Sequence, residues 1–198
     1  MKIIVSLVLS LLLSSFSYAV EVPLDVKQSF LKFTGHAFMH DFHGEAKEFS
    51  GSAQVDSSKM LLGAEIDIQA AKMTTFESDR DRNMFDWLHV EANPGISFHL
   101  IRIIPMKGDP AGATKDHPSQ FTVGGNFTLN KTAKPLETQA LGWREGKWLV
   151  VTGTTKINTA DHGLPEIRTF FMTVDKQVDV AFRLVFDLPT ELQIPAQH

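Results

Sequence analysis

The sequence predicts an all-β fold, and three observations support that prediction. Apolar and polar residues alternate with period two in several segments, turn residues separate these segments, and helical spacing is confined to one stretch. Period-two alternation places the apolar side chains on one face of a strand. Since about eight such segments occur, we expect an antiparallel sheet of eight strands with one short helix.

The clearest strand lies near the C-terminus, and two further segments, 65–70 and 120–129, alternate equally well. In the C-terminal segment the apolar residues share one face and the polar residues share the other. The apolar face carries Val178, Val180, Phe182, Leu184, Phe186 and Leu188, and the polar face carries Gln177, Asp179, Arg183 and Asp187. Each of these strands should therefore bury one face.

Five less regular strands complete the expected sheet, at 24–38, 44–55, 96–104, 136–143 and 147–157. The short polar link 144–146 lies between Trp143 and Trp148 and predicts a hairpin. Residues 107–119 contain two prolines and two glycines, which is typical of a surface loop.

The expected helix lies within 75–92, where Met84, Trp87 and Leu88 have helical spacing. Ser78 and Asp79 are candidate caps, and Asn93-Pro94 is a stop signal. Residues 159–168 indicate a loop that could contain one helical turn.

The N-terminus is typical of a secretory signal. Lys2 precedes an apolar run of about 11 residues, and Ser17-Tyr18-Ala19 has the small-x-small pattern of a cleavage site. The run is shorter than the roughly 20 apolar residues of a membrane-spanning anchor, which is the alternative. We therefore expect residues 1–19 to be removed and residues 20–198 to form one exported domain.

Composition excludes several functional classes. The chain has no cysteine, so disulfides, thiol catalysis and attachment through a lipidated cysteine are impossible. Its net charge of −4 provides no general attraction to nucleic acid or to an anionic membrane surface. A small or apolar partner is therefore expected.

Strands with one apolar face can pack as a sandwich or close into a barrel, and the pattern leaves both possibilities open. A barrel of about eight strands is either filled by side chains or encloses one ligand. Its interior would be lined by aromatic side chains, which are also ordinary core material. The candidates are Phe30, Phe33, Phe98, Phe127, Phe182 and Phe186.

Four stretches together resemble the YceI-like, polyisoprenoid-binding family of bacterial periplasmic proteins, over nearly all of the mature chain. They are Phe42-His43-Gly44 leading to Phe49-Ser50-Gly51-Ser52, Arg80-Asp81-Arg82-Asn83-Met84 running to Pro94-Gly95-Ile96-Ser97-Phe98, the stretch FTVGGNFTLNK at 121–131, and KINTADHG at 156–163. Two departures bear on the ligand. The segment 80–94 is shorter than the common form of the family, and residues 129–132 replace a frequent histidine-glycine pair.

The resemblance implies a lipocalin-like barrel of eight antiparallel strands, with an elongated apolar cavity for an isoprenoid lipid or isoprenoid quinone. It implies binding without a reaction, and it allows a homodimer. Polar groups near the mouth would orient the head group. Arg80, Asp81 and Asp161 are candidates because they lie in irregular segments that would cap a barrel, although each could equally serve as a loop salt bridge or cap.

His36, His40 and His43 provide an alternative, because imidazole nitrogens are good ligands for zinc, copper or nickel. On one regular strand His36 and His40 would share a face and His43 would point the other way, which is poor geometry for a metal site. A module that binds a partner protein through an exposed apolar patch is a further alternative. Serine nucleophile, phosphate-loop and dinucleotide motifs are absent, so we expect no enzyme and no cofactor other than a bound lipid.

Overall fold

The computed structural model describes residues 19–37, 40–56, 60–169 and 172–189. Residues 1–18 of the predicted signal segment lie outside these ranges. No helix in the described part of the chain has the length and apolar character needed to cross a membrane.

Twelve β-strands and one α-helix, with two short 3-10 helices, make up the described chain. The strands are β1 (Val20–Pro23), β2 (Phe30–Ala37), β3 (His40–Ala46), β4 (Phe49–Val55), β5 (Leu61–Gln69), β6 (Met73–Thr74), β7 (Gly95–Lys107), β8 (Ser119–Leu129), β9 (Thr132–Glu145), β10 (Trp148–Asn158), β11 (Arg168–Thr169) and β12 (Met172–Asp187). The helix is α1 (Ser78–Leu88), and the 3-10 helices are Ala70–Lys72 and Thr159–His162.

Eleven strands form one strongly curled antiparallel sheet in the order β1-β4-β5-β7-β8-β9-β10-β12-β2-β3-β6, and β11 pairs with β12. The predictions of an all-β fold and one short helix are confirmed. The expected count of eight strands is not, because the predicted strand 44–55 is divided into β3 and β4 at residues 47–48. A 3-10 turn likewise separates β5 from β6, and β1 was not expected.

The predicted strand 24–38 was wrong over residues 25–29, which form a turn around Asp25, whereas Leu24 forms a single bridge with Phe186. The Asp25 carboxylate accepts hydrogen bonds from Lys27 N at 3.0 Å and from Gln28 Nε2 at 2.8 Å. Ser29 Oγ donates to Asp25 O at 2.7 Å and accepts from Val185 N at 3.0 Å. An aspartate that satisfies the following backbone in this way favours a turn over a strand.

Glu77 caps α1 at its N-terminus, where Ser78 or Asp79 was expected. The Glu77 side chain accepts from Arg80 N at 3.0 Å, and its own backbone is extended. Ser78 and Asp79 already belong to the first helical turn, so they cannot hold the capping position. The helix ends at His89, whose left-handed φ of 54° closes the last turn.

The inner face of the curled sheet carries most of the core. One buried cluster joins β1, β4, β5 and β12 through Val22, Ala53, Val55, Ile66 and Phe186. A second joins α1 to the sheet through Leu88, Ile96, Leu129 and Ile157. The helix is held over this end of the sheet, where Trp87 Nε1 donates to Pro165 O at 2.8 Å.

Aromatic rings on the inner face lie over glycines of neighbouring strands. Phe33 pairs with Gly44 and Phe182 pairs with Gly153 in the strand register. A methyl group added at either glycine would overlap the ring of its partner. The rings therefore lie along the sheet, in space that a Cβ atom would otherwise occupy.

Gly125 is the best position at which to test the packing of aromatic rings over glycines. A Cβ there would overlap the backbone oxygen of His99 and stand 2.7 Å from the tip of the Phe98 ring, and backbone cannot move aside cheaply. We expect Gly125→Ala to lower the free energy of unfolding by about 1–3 kcal/mol, as overpacking commonly does. Urea denaturation measures the change. Gly95→Ala is the matched control, because a Cβ at Gly95 meets no atom within 4 Å; equal stability of both variants with the wild type would contradict the argument.

Candidate ligand-binding site

A cavity of about 160 Å³ lies at the end of the sheet opposite α1, where β5, β7, β8, β9 and β10 approach one another. Its wall is largely apolar. The lining residues are Met60, Leu61, Ile103, Pro105, Pro110, Phe121, Val123, Gly142, Trp143, Arg144, Leu149 and Val151. We call this end the mouth. Arg144 is the charged member of the lining.

A row of apolar side chains continues from the mouth along the inner face, and this row is half-buried. Strand pairing places Leu31 and Phe33 of β2 opposite Phe182 and Val180 of β12 on that face. All four are of intermediate exposure, although they face inward. A solid core would bury them fully, so the interior retains unfilled apolar surface.

Five of the six predicted phenylalanines lie on the inner face. Phe98 pairs with Phe127 across β7 and β8, and both are half-buried. Phe186 belongs to the packed core at 1% exposure. Phe33, Phe98, Phe127 and Phe182 are therefore the predicted residues that retain surface for a ligand.

Phe30 faces outward, which corrects the expectation that it lines the interior. It pairs with Arg183, next to the inward pair Leu31 and Phe182, so alternation directs it to the opposite face. Lys32 Nζ stands 5.1 Å from its ring centroid on that outer face.

None of the three predicted polar residues lines the cavity, because all lie at the helix end of the sheet. Asp81 accepts hydrogen bonds from Thr74 Oγ1 at 2.7 Å and from Thr75 N and Oγ1 at 2.6 Å. Burial acts to raise the pKa of Asp81, but these bonds outweigh it and hold the pKa below its usual value. Asp81 therefore fixes the segment that leads into α1.

Arg80 and Asp161 are placed differently from Asp81. The Arg80 guanidinium carbon lies 5.5 Å from the ring centroid of Phe42, an inward-facing aromatic that covers Gly35. Asp161 is exposed and accepts from Asn158 Nδ2 at 3.1 Å within its own turn. A role for either in ligand binding stays a prediction.

Sequence reasoning missed several lining residues, among them Ile103 and Val151. The β7 register shifts between Leu100 and Arg102, which moves Ile103 onto the inner face beside Val123. A bulge of this kind reverses the alternation, so the sequence pattern alone misplaces every residue beyond it. Val151 could have been found, because it alternates regularly with Leu149 on β10.

The three histidines do not converge. His36 lies on β2, whereas His40 and His43 lie on β3, and the pairing of Ala37 with His40 shows that the chain reverses between them. His36 and His43 consequently share the outer face, contrary to the expectation for a single strand. In the described ranges no group of three or more His, Cys, Asp or Glu side chains is placed to hold a metal ion.

A family model of the YceI-like domain matches residues 23–186. The chain belongs to the YceI-like family. The resemblance inferred from the four sequence stretches is thereby confirmed, and the family supports a lipid-binding role. No curated protein sequence matches the chain.

Three solved structures are similar to this YceI-like protein in fold. Burkholderia cenocepacia BcnA has 18% identity and a TM-score of 0.69, with 82% of this chain and 98% of that one covered. A polyisoprenoid binding domain from Saccharophagus degradans, implicated in plant cell wall breakdown, has 18% identity and a TM-score of 0.67, with 85% and 98% covered. A Campylobacter jejuni YCEI protein has 14% identity and a TM-score of 0.60, with 78% and 89% covered.

His36 joins three strands on the outer face. Its Nδ1 lies 2.9 Å from Asp41 Oδ1 on β3, and its Nε2 lies 3.2 Å from Asp179 Oδ2 on β12. The hydrogen bond to Asp41, and to a lesser degree the one to Asp179, raises the pKa of His36 above its usual value. Both ring nitrogens therefore serve carboxylates, which leaves neither available to a metal ion.

A raised pKa in the folded state means that protonated His36 stabilises the fold. This contribution is complete below the unfolded pKa of about 6.5 and is lost as the pH rises through the folded pKa. We expect His36→Gln to be more destabilising at about pH 5.5, where His36 is protonated, than at about pH 8.5. Urea denaturation at both values measures the difference. His99→Gln, on the exposed outer side of β7, is the control, and an equal loss at both pH values for His36→Gln would show that the ion pairs contribute nothing.

Proposed function

We propose that this YceI-like protein is a non-catalytic carrier of a single-chain amphiphilic lipid, such as a polyisoprenoid or an isoprenoid quinone. One observation carries the proposal. The inward-facing apolar row of β2 and β12 is half-buried, as is Phe127 of β8, which leaves apolar surface unfilled inside a protein that is otherwise well packed. Family membership supports a lipid ligand, as does the similarity to a polyisoprenoid binding domain.

Binding follows from the burial of the lipid chain. Each methylene moved from water to the interior contributes about 0.8 kcal/mol, so a long chain is held without strong polar contacts. The rings of Phe33 and Phe182 lie along the sheet and present flat apolar faces to such a chain. Because no polar group in this row must be matched, selectivity among apolar chains is low.

The orientation of the ligand follows from the two ends of the sheet. The α1 end is closed by Leu88 and its buried neighbours. The mouth carries Arg144 and opens to solvent, so the polar head group stays there while the chain extends past Val151 toward Phe182 and Phe127. A cavity of about 160 Å³ seats the first part of the chain.

Export to the periplasm completes the proposal. The N-terminal signal pattern at 1–19 supports it. A carrier in an aqueous compartment would keep an insoluble lipid in solution, and this role requires no chemical step. Neither metal nor catalytic groups enter the mechanism.

Native mass spectrometry of the mature protein, followed by organic extraction, tests the proposal directly. We expect a discrete excess mass that matches an isoprenoid lipid or quinone released by the solvent. A bare chain that also fails to take up added quinone would overturn the carrier function.

Filling the cavity gives a second test. Val151 lines the cavity, so Val151→Trp should place an indole in the path of the chain and weaken quinone binding about tenfold or more. Equilibrium titration with ubiquinone-10 in detergent measures the affinity. Gln139→Trp on the neighbouring strand β9 is the control, because Gln139 is exposed on the outer face and does not line the cavity. Unchanged affinity in a folded Val151→Trp protein would place the ligand elsewhere.

A further inference from the structure

An apolar patch surrounds the mouth on the outside of the sheet. Six large apolar side chains are exposed in the described part of the chain, and four of them lie on β5 and β7 near the cavity. These four define the lip, with exposures of 47% for Leu62, 58% for Ile101, 48% for Ile104 and 51% for Met106. Val26 and Phe76 are the other two, and Phe76 lies at the helix end.

The lip is continuous with the cavity wall. On β7, Ile103 and Pro105 line the cavity, while Ile104 between them and Met106 beyond them face solvent. On β5, Leu61 lines the cavity and its neighbour Leu62 is exposed. Both faces of these strand ends are therefore apolar, whereas a strand with one face in water normally alternates apolar with polar residues.

Two register shifts in β7 produce this arrangement. One falls between Leu100 and Arg102 and the other between Pro105 and Lys107, and each leaves an extra residue without a cross-strand partner. Ile101 and Met106 are those extra residues. Bulges bend a strand and redirect side chains, and here each one directs an apolar side chain outward beside the mouth.

From this continuity we infer that the lip docks on a lipid bilayer surface and delivers the amphiphile from the bilayer to the mouth. The inference rests on the proposed carrier function. A long-chain lipid in water resides in bilayers, so a carrier must meet that surface with its opening. Apolar side chains placed beside the opening enter the interfacial region and shorten the ligand's passage through water.

The small size of the lip favours a bilayer over a second copy of the chain. Four half-exposed side chains offer much less than the roughly 800 Å² per partner that a stable protein dimer buries. The bulges also disturb the regular surface that sheet-on-sheet packing requires. Arg102 adds little attraction for anionic lipid, because it forms an ion pair with Glu137. Docking therefore depends mainly on apolar contact.

The experiment uses the full mature protein, phosphatidylcholine vesicles loaded with ubiquinone-10, and the triple variant Ile101→Thr/Ile104→Thr/Met106→Gln. Thr and Gln keep strand geometry and approximate length, and the three positions are exposed, so the variant should fold. Phe76→Asn is the matched control, since it removes an exposed aromatic at 65% exposure from the opposite end. Vesicle flotation measures docking, and quinone recovered with vesicle-free protein measures transfer.

We expect the triple variant to lose about tenfold in vesicle binding and in transfer rate, while Phe76→Asn behaves as the wild type. Quinone uptake from detergent solution should be equal in all three proteins. If the triple variant docks and transfers as well as the wild type, the inference that the lip docks on a bilayer is wrong. The inference is also wrong if no protein binds vesicles and the wild type forms a dimer that the triple variant does not form. That result would assign the patch to self-association. Absence of uptake from detergent would instead refute the carrier function, whatever the flotation result.

Discussion

The interior of this protein depends on aromatic rings that lie over glycines of adjacent strands. Phe33 over Gly44 and Phe182 over Gly153 are the clearest cases, and Phe42 over Gly35 repeats the arrangement. A ring that crosses to the neighbouring strand extends along the sheet and occupies little depth. The curled sheet can thus be rich in phenylalanine and still leave apolar surface open on its inner face. With a side chain at the glycine, the ring would have to stand up and fill that space.

Packing at the two ends of the inner face compensates for the open row between them. At the mouth side, β1 lies against β4, and Leu24 bridges to Phe186 of β12. At the other side, α1 and the segment after β10 bury Leu88 and Leu164. A chain without cysteine has no disulfide to stabilise it, so burial of apolar side chains in clusters such as these two matters more. The middle can then remain under-packed without loss of the fold.

Regular alternation was sufficient to predict part of this architecture. The C-terminal strand was correct because its pairing with β10 runs without a shift from Trp148 opposite Asp187 to Asn158 opposite Gln177. The hairpin at 144–146 and the helix were also correct, since turn chemistry and helical spacing are local signals. The long loop near 107–119 agrees with residues 108–118 between β7 and β8.

The remaining features depend on contacts that alternation does not encode. Phe30 was misplaced because the β2 register against β12, which the sequence does not show, decides its face. The single strand expected at 44–55 is two strands, because Lys47 N donates to Lys72 O and Gln69 N donates to Glu48 O across the interruption. The β7 bulges caused the largest error in the sequence prediction. Because of them, alternation did not predict that Ile103 lines the cavity or that the lip lies outside it.

A half-filled interior and an apolar rim are coupled properties of one strand end. An unpaired extra residue in β7 turns the following side chains by one position, so the same bulge directs Ile103 inward and leaves Ile101 outside. Without the bulge, regular alternation would keep Ile103 on the same outer face as Ile101 and would turn the charged Arg102 toward the cavity. The bulge therefore places an apolar side chain in the cavity wall where a charged one would otherwise stand. The register of β7 sets both the capacity to hold an apolar chain and the surface through which that chain would arrive.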